Sequence, residues 1–196
     1  MEENYIDIIK SYLKVNKKNI YNSNLYNETI YYVAGKIVTS SIFCLQIPKI
    51  ISIKDFNNNA NFDFNKNILN RQWFSTKIMQ DSVVSTLAGI ASTKLFFDNA
   101  NICDNNDISV ALELIKTFID NYSNFYNENK YLSVNAYNSM RDNYIVSEFK
   151  KYFRKAKSII LKNQNFFEAI KNILAQNQEI TASKIEELKN NFEIVY

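Results

Sequence analysis

The sequence predicts a single, mainly α-helical domain. Its 196 residues are enough for one core that buries roughly 70% of the unfolded surface. The chain has two glycines and one proline, where average usage would give about 14 and 10. Because tight hairpin turns depend on these two residues, a β-sandwich or barrel is disfavoured. Apolar side chains recur at helical spacing along most of the chain.

The first half of the chain predicts two helices and a strand. Apolar spacing predicts an amphipathic helix over residues 3–15, and residues 1–25 are interpreted as an N-terminal helical arm. A second helix is expected over 28–45, because Pro48 disfavours helix in the residue before it. Residues 49–56 alternate apolar and polar side chains, which predicts a small strand element.

The second half of the chain is predicted to be helical. Ser75 or Thr76 caps the third helix, and Thr181 or Ser183 caps the last one. Residues 122–138, rich in Tyr and Asn, receive no assignment. No repeat or linker divides the chain. The expected helices cover residues 75–97, 104–122, 139–163, 166–175 and 181–190.

Composition excludes most familiar catalytic chemistry. The chain contains no histidine, which excludes Ser-His-Asp catalysis and His-based zinc sites. Cys44 and Cys103 cannot supply a four-cysteine metal site. Gly35 and Gly89 lie too far apart for a glycine-rich phosphate loop.

Charge and hydropathy predict a cytoplasmic protein. The net charge of +3 does not demand an anionic partner. The longest apolar stretch, residues 30–47, contains Lys36 and a polar triplet at 39–41. This stretch therefore predicts a buried helix and no membrane span. Residues 1–4 are acidic and lack the features of a signal peptide.

Three segments carry a family pattern. Residues 28–38 read Glu-Thr-Ile-Tyr-Tyr-Val-Ala-Gly-Lys-Ile-Val. Residues 87–97 read Leu-Ala-Gly-Ile-Ala-Ser-Thr-Lys-Leu-Phe-Phe, and Asn-Asp-Ile-Ser-Val-Ala follows at 106–111. The third segment comprises 156–163 and 180–188. In this order, over about 26–190, the segments resemble the protease domain of FtsH-type ATP-dependent zinc metalloproteases.

The resemblance implies a degenerate, stand-alone member of that family. The motif helix of that family has two zinc-binding histidines four residues apart, and a catalytic glutamate directly follows the first histidine. Tyr32 and Lys36 stand at the histidine positions, and Val33 stands at the glutamate position. Asp107 matches the third zinc ligand. The resemblance therefore implies a vestigial metal site with no zinc, no cofactor and no catalytic residue.

The substituted side chains suggest what fills the site. A phenol, an ammonium and one carboxylate do not make a zinc site. We expect Lys36 to pair with Asp107 and Tyr32 to donate a further hydrogen bond, since an unpaired buried carboxylate would be costly. The alternative is that Lys36 extends to solvent and never meets Asp107.

Other motifs have both a chemical and a structural interpretation. Ser40 and Lys36 are i, i+4 neighbours that could form a Ser-Lys dyad. Asp104 and Asp107 could act as an acid–base pair, although acidic residues there more often favour a helix N-terminus. The run of lysines and Arg154 within the basic helix 149–160 could bind nucleic acid, but the balanced net charge favours a solvated helix face.

The leading hypothesis is a pseudoprotease: an inactive FtsH-like domain kept as a protein-binding or assembly module. Because the family's protease domains form rings, the expected partner is a second copy of the chain or an active FtsH-type protease. No nucleic acid is expected as a partner. The alternatives are a histidine-free enzyme in the vestigial cleft and nucleic-acid binding through the basic helix.

Overall fold

Eight helices and two short strands make up the part of the chain that the computed structural model describes, residues 3–13, 25–54, 75–97 and 105–196. The predicted mainly α fold with a small strand element is confirmed. In chain order the elements are α1 Glu3–Leu13, α2 Leu25–Ile42, β1 Ile50–Ser52, α3 Thr76–Phe96, α4 Asn105–Tyr122, α5 Phe125–Asn129, α6 Val134–Lys162, α7 Gln164–Asn177, β2 Glu179–Thr181 and α8 Ala182–Asn190.

Two helices, α2 and α3, form the centre of the fold. Helix α3 is buried without interruption from Asp81 to Thr93, and α2 is buried from Glu28 to Ile42 except at Tyr31. Helices α4 and α6 pack on α3, α7 packs on α2, and α1 packs on α6. The buried helix expected over residues 30–47 is therefore the central α2. Helix α1, within the predicted N-terminal arm, contributes Tyr5, Ile9 and Leu13 to the common core.

The two glycines of the chain lie where α2 crosses α3. A Cβ atom on Gly35 would stand 2.6 Å from the carbonyl oxygen of Ala88, and one on Gly89 would stand 2.5 Å from the Tyr32 ring. Real Cβ atoms do not approach that closely, so both positions require glycine. Across the same crossing, the Ser92 hydroxyl donates to the carbonyl of Tyr31 at 2.6 Å.

Helix α2 ends three residues earlier than the predicted 45. Cys44 adopts a left-handed conformation with φ of 54°. The amide of Leu45 donates to the carbonyl of Ser40, and the amide of Cys44 donates to that of Ser41. These two bonds form a Schellman motif, which satisfies the last carbonyls and ends the helix before Pro48 acts.

The strand predicted within 49–56 is β1, which pairs antiparallel with β2. Ile51 lies opposite Ile180, and both side chains are buried while Ile50 is exposed. Residues 55 and 56 lie outside the described residues. The sequence did not predict β2, because its three residues contain a single apolar side chain. So short a pattern cannot be distinguished from the residues that precede a helix.

The segment left unassigned, 122–138, contains α5 and the first turn of α6. Helix α6 begins at Val134, five residues before the predicted 139, and the hydroxyl of Ser133 accepts from the amide of Ala136. Ser75 and Thr181 cap α3 and α8 in the same way, which decides between the predicted caps. No helix in the described ranges is long and apolar enough to cross a bilayer.

We predict that Gly35→Ala lowers the free energy of unfolding by about 1–3 kcal/mol, the usual cost of overpacking a core. Helix propensity alone would raise it by about 1 kcal/mol, so the sign of the change separates the two effects. Urea denaturation measures it. Ser147→Ala, on the exposed side of α6, is the control and should change stability little. A Gly35→Ala protein more stable than wild type would contradict the close crossing.

Candidate functional site

Three polar side chains from two helices meet beside the α2–α3 crossing. Tyr32 and Lys36 occupy consecutive turns of α2 and therefore project from the same side of that helix. Asp107 lies in the first turn of α4. The three residues are far apart in sequence, and packing of α3 between α2 and α4 brings them together.

The Lys36 ammonium contacts both oxygens of the Asp107 carboxylate. Its Nζ atom lies 2.9 Å from Oδ1 and 3.0 Å from Oδ2. The Tyr32 hydroxyl donates to Asp107 Oδ2, and Lys36 Nζ also lies 3.4 Å from that hydroxyl. The carboxylate therefore accepts hydrogen bonds from two different side chains of α2.

Burial makes this arrangement electrostatically demanding. The exposed fractions of Lys36, Tyr32 and Asp107 are 4%, 6% and 6%. A buried charge is tolerated only when it is paired and hydrogen-bonded. The predicted pairing of Lys36 with Asp107 is confirmed, and the alternative in which Lys36 extends to solvent is wrong.

The position of Tyr32 depends on the absence of a side chain at residue 89. The Tyr32 ring fills the space directly over Gly89, which directs its hydroxyl toward α4. Lys36 Nζ also lies 5.2 Å from the centroid of that ring, within range of a cation–π contact. Val33 is fully buried in the apolar core, so its position holds no group able to accept a proton.

Glu28 is a neighbouring buried residue that sequence reasoning missed. It lies one turn before Tyr32 on α2 and is 3% exposed. The spacing 28-32-36 repeats every fourth residue and places all three side chains along one side of the helix. This repeat of polar residues within an apolar helix was the available signal.

These residues do not fit a zinc ion. Zinc takes thiolate, imidazole or carboxylate ligands, and Asp107 is the only such group among the three. A lysine ammonium carries no free lone pair and repels a cation. Among the described residues, no group of three or more Asp, Glu or Cys side chains is arranged to hold a metal ion.

The Ser-Lys dyad, the chemical alternative for Ser40 and Lys36, does not form. The Ser40 hydroxyl is hydrogen-bonded to that of Ser85 on α3, whereas the Lys36 ammonium is directed to Asp107. Asp104, the partner of Asp107 in the alternative acid–base interpretation, lies outside the described residues, as does Cys103. Asp107 does lie in the first turn of α4, where the helix dipole favours a carboxylate.

The basic helix 149–160 uses its aromatic residues for the core. Tyr152 and Phe153 are buried, with exposed fractions of 3% and 2%. They are therefore not available to stack on nucleic-acid bases. Lys151 pairs with the carboxylate of Glu148 at 3.0 Å, and Lys155 pairs with Asp81. These contacts favour the structural interpretation of the basic run.

Asp81, in the first half of α3, is a further buried carboxylate. Lys155 Nζ lies 3.6 Å from its Oδ1 atom. Burial raises the pKa of Asp81, because loss of hydration disfavours the carboxylate, and the nearby charges of Lys155 and Lys77 offset this only in part. Ionisation of Asp81 therefore costs stability in the folded state.

No protein-family model and no curated protein matches the chain. The resemblance to FtsH-type proteases therefore rests on the three sequence segments. Residues 32, 36 and 107, which the resemblance matches to the zinc ligands of that family, lie in mutual contact.

We predict that Lys36→Met lowers the free energy of unfolding by about 3–5 kcal/mol, because it leaves the Asp107 carboxylate buried without its cation. Urea denaturation measures the change. Lys184→Met is the matched control, since it breaks an exposed ion pair with Glu187 and should cost about 0–1 kcal/mol.

The double variant Lys36→Met/Asp107→Leu tests whether the stability lost in Lys36→Met comes from leaving the Asp107 carboxylate buried without a cation. Replacing both charges with apolar groups removes the uncompensated carboxylate, so the double variant should be more stable than Lys36→Met alone. Equal losses for Lys36→Met and Lys184→Met would contradict a buried pair.

A pH dependence follows from Asp81. A carboxyl group with a raised folded-state pKa contributes most stability below its unfolded pKa of about 3.9 and loses it as pH rises through the folded value. We predict that the free energy of unfolding of Asp81→Asn, relative to that of wild type, increases as the pH is raised from 3.5 to 7. Urea denaturation at both pH values measures the difference. A gain on acidification instead would show that Lys155 dominates the site.

Proposed function

We propose that this chain is a catalytically inactive, FtsH-like protease domain that serves as a protein-binding or assembly module in the cytoplasm. One observation carries the proposal. Two side chains from consecutive turns of α2 converge with a carboxylate from the first turn of α4. The family that the sequence resembles uses these positions to bind zinc, and here they hold a tyrosine, a lysine and an aspartate.

Inactivity follows from the chemistry of these side chains. Zinc proteases need an open coordination position for water and a general base beside it. The carboxylate of Asp107 is committed to Lys36, and Val33 offers no base. All three polar residues are buried, which leaves solvent little access to the carboxylate.

The cluster suits a structural role better than a catalytic one. The Lys36–Asp107 pair joins α2 directly to α4. Both helices pack on α3, which lies between them, so the pair adds a direct connection that fixes their relative position. A domain without catalytic activity functions by binding other molecules. The resemblance implies protein partners of the same family, either a second copy of this chain or an active FtsH-type protease.

The first test uses the wild-type protein. We expect it to purify without stoichiometric zinc and to cleave no unfolded substrate such as casein, because the ligand set and the base are replaced together. Elemental analysis after dialysis against a weak chelator measures bound metal, and a fluorescent casein assay measures proteolysis. One retained zinc per chain, or zinc-dependent cleavage, would overturn the proposed inactivity.

The second test restores the proposed ligand set. In the variant Tyr32→His/Lys36→His, two imidazoles four residues apart on α2 join the Asp107 carboxylate, the three-ligand arrangement of a catalytic zinc site. We expect this variant to bind one Co²⁺ ion per chain with a tetrahedral absorption spectrum, and Zn²⁺ to displace it.

The control for restoration is the triple variant Tyr32→His/Lys36→His/Asp107→Asn, which lacks the carboxylate ligand. It should bind Co²⁺ at least tenfold more weakly. Circular dichroism establishes that both variants are folded. A folded double variant that binds no better than the triple variant would contradict the proposed descent of this site from a zinc centre.

A further inference from the structure

One end of the α4–α6 pair exposes an unusual amount of apolar surface. We call it the tyrosine face and define it by six residues with exposed fractions between 40% and 89%: Tyr122, Tyr126, Tyr131, Leu132, Val134 and Met140. All six lie between residues 122 and 140, from the end of α4 through α5 into the first turns of α6. Single exposed apolar residues are normal on a protein surface, whereas contiguous apolar patches mark interaction sites.

The tyrosine face is held in place from beneath. Phe125 of α5 is buried and stacks on Tyr144 of α6, with ring centroids 5.3 Å apart. Tyr126 packs edge-on against Tyr137 at 6.2 Å. Met140 lies three residues after Tyr137 and four before Tyr144, so it lies on the same side of α6.

An ion pair fixes the two long helices at this end. The guanidinium of Arg141 on α6 donates to both carboxylate oxygens of Asp120 on α4, at 2.6–3.1 Å. Such a two-point contact has a defined geometry. The hydrogen bonds to Asp120 raise the pKa of Arg141 despite its partial burial, which keeps the guanidinium charged. A surface that is already ordered binds with a smaller entropic cost.

The exposed area is large enough for association. Given about 150–250 Å² for a whole aromatic side chain, the exposed fractions of the three tyrosines alone amount to about 300–500 Å² of surface, to which Leu132, Val134 and Met140 add. The largest apolar patch of a typical monomer is about 300–600 Å², and a stable interface buries about 800 Å² per partner. With its polar rim, the tyrosine face approaches the area that each half of a dimer contributes.

The charges around the face are of both signs. Glu128 and Lys130 are both exposed and lie in the sequence between Tyr126 and Tyr131, and the Lys130 ammonium lies 5.2 Å from the centroid of the Tyr131 ring. A surface for nucleic acid or an anionic membrane would be uniformly basic. A surface that carries charges of both signs can be complementary to itself after a two-fold rotation, because a basic group of one copy can face an acidic group of the other.

We infer that the tyrosine face is the interface of a symmetric dimer of this chain. Apolar rings from the two copies pack together, and Glu128 of each copy pairs with Lys130 of the other across the two-fold axis. The dimer depends on an exposed surface and not on the buried cluster at Lys36. It deepens the assembly role proposed above, but its test is independent of whether that cluster descends from a zinc site.

Sedimentation equilibrium of the full chain tests the dimer. We expect a reversible monomer–dimer equilibrium, and Tyr126→Ser/Tyr131→Ser should raise the dissociation constant at least tenfold. The matched control is Leu161→Ser, which removes an apolar side chain of similar exposure (51%) about 40 Å further along α6. It should leave the dissociation constant unchanged. Circular dichroism establishes that each variant is folded.

Charge exchange tests the two-fold arrangement. Lys130→Glu places two acidic residues against their copies and should weaken the dimer about tenfold. Adding Glu128→Lys restores opposite signs and should return the dissociation constant to within about threefold of wild type. A wild-type protein that stays monomeric to millimolar concentration, a dimer insensitive to Tyr126→Ser/Tyr131→Ser, or an exchange variant as weak as Lys130→Glu would each overturn the inference.

Discussion

The close crossing of α2 and α3 is the constraint on which the rest of the structure depends. Gly35 lets the backbone of α3 approach α2, and Gly89 leaves room for the Tyr32 ring. With that ring seated over α3, its hydroxyl and the next turn of α2 reach α4. A wider crossing would move Tyr32 and Lys36 away from Asp107. The geometry of the buried cluster therefore depends on glycine at positions 35 and 89.

Periodicity predicted the positions of the amphipathic helices, such as α1, α4 and α7, and capping residues predicted where α3 and α8 begin. The nearly complete burial of α2 and α3 does not follow from apolar spacing, because Ser, Thr and charged side chains are buried along with the apolar ones. The errors have local physical causes. The Schellman motif at Cys44 requires a residue in the left-handed conformation. Glycine or asparagine usually indicates that conformation, and cysteine does not. The strand at Ile180 is too short for a pattern. The start of α6 at Val134 was not predicted, because the surrounding Tyr and Asn residues are compatible with helix and loop alike.

The cluster itself was predicted only through the resemblance. Tyr32 and Lys36 share a helix face by spacing alone, but no local rule relates them to Asp107, 71 residues after Lys36. Long-range pairing depends on how α3 packs between the two helices. Glu28 was missed for the opposite reason. Its relation to Tyr32 is local, but a glutamate in the first turn of a helix is usually explained by the helix dipole.

Charge balance explains why a lysine suits this position. A zinc site with two neutral imidazoles and one carboxylate carries a net charge of about +1 and needs solvent or substrate at its open position. An ammonium, a phenol and a carboxylate sum to zero, so they can be enclosed without a buried net charge. Under the proposed descent, Lys36 and Tyr32 therefore do more than remove the metal. They would also allow the site, once open to water, to close within the core, and the exposed fractions of 4–6% agree with an enclosed site.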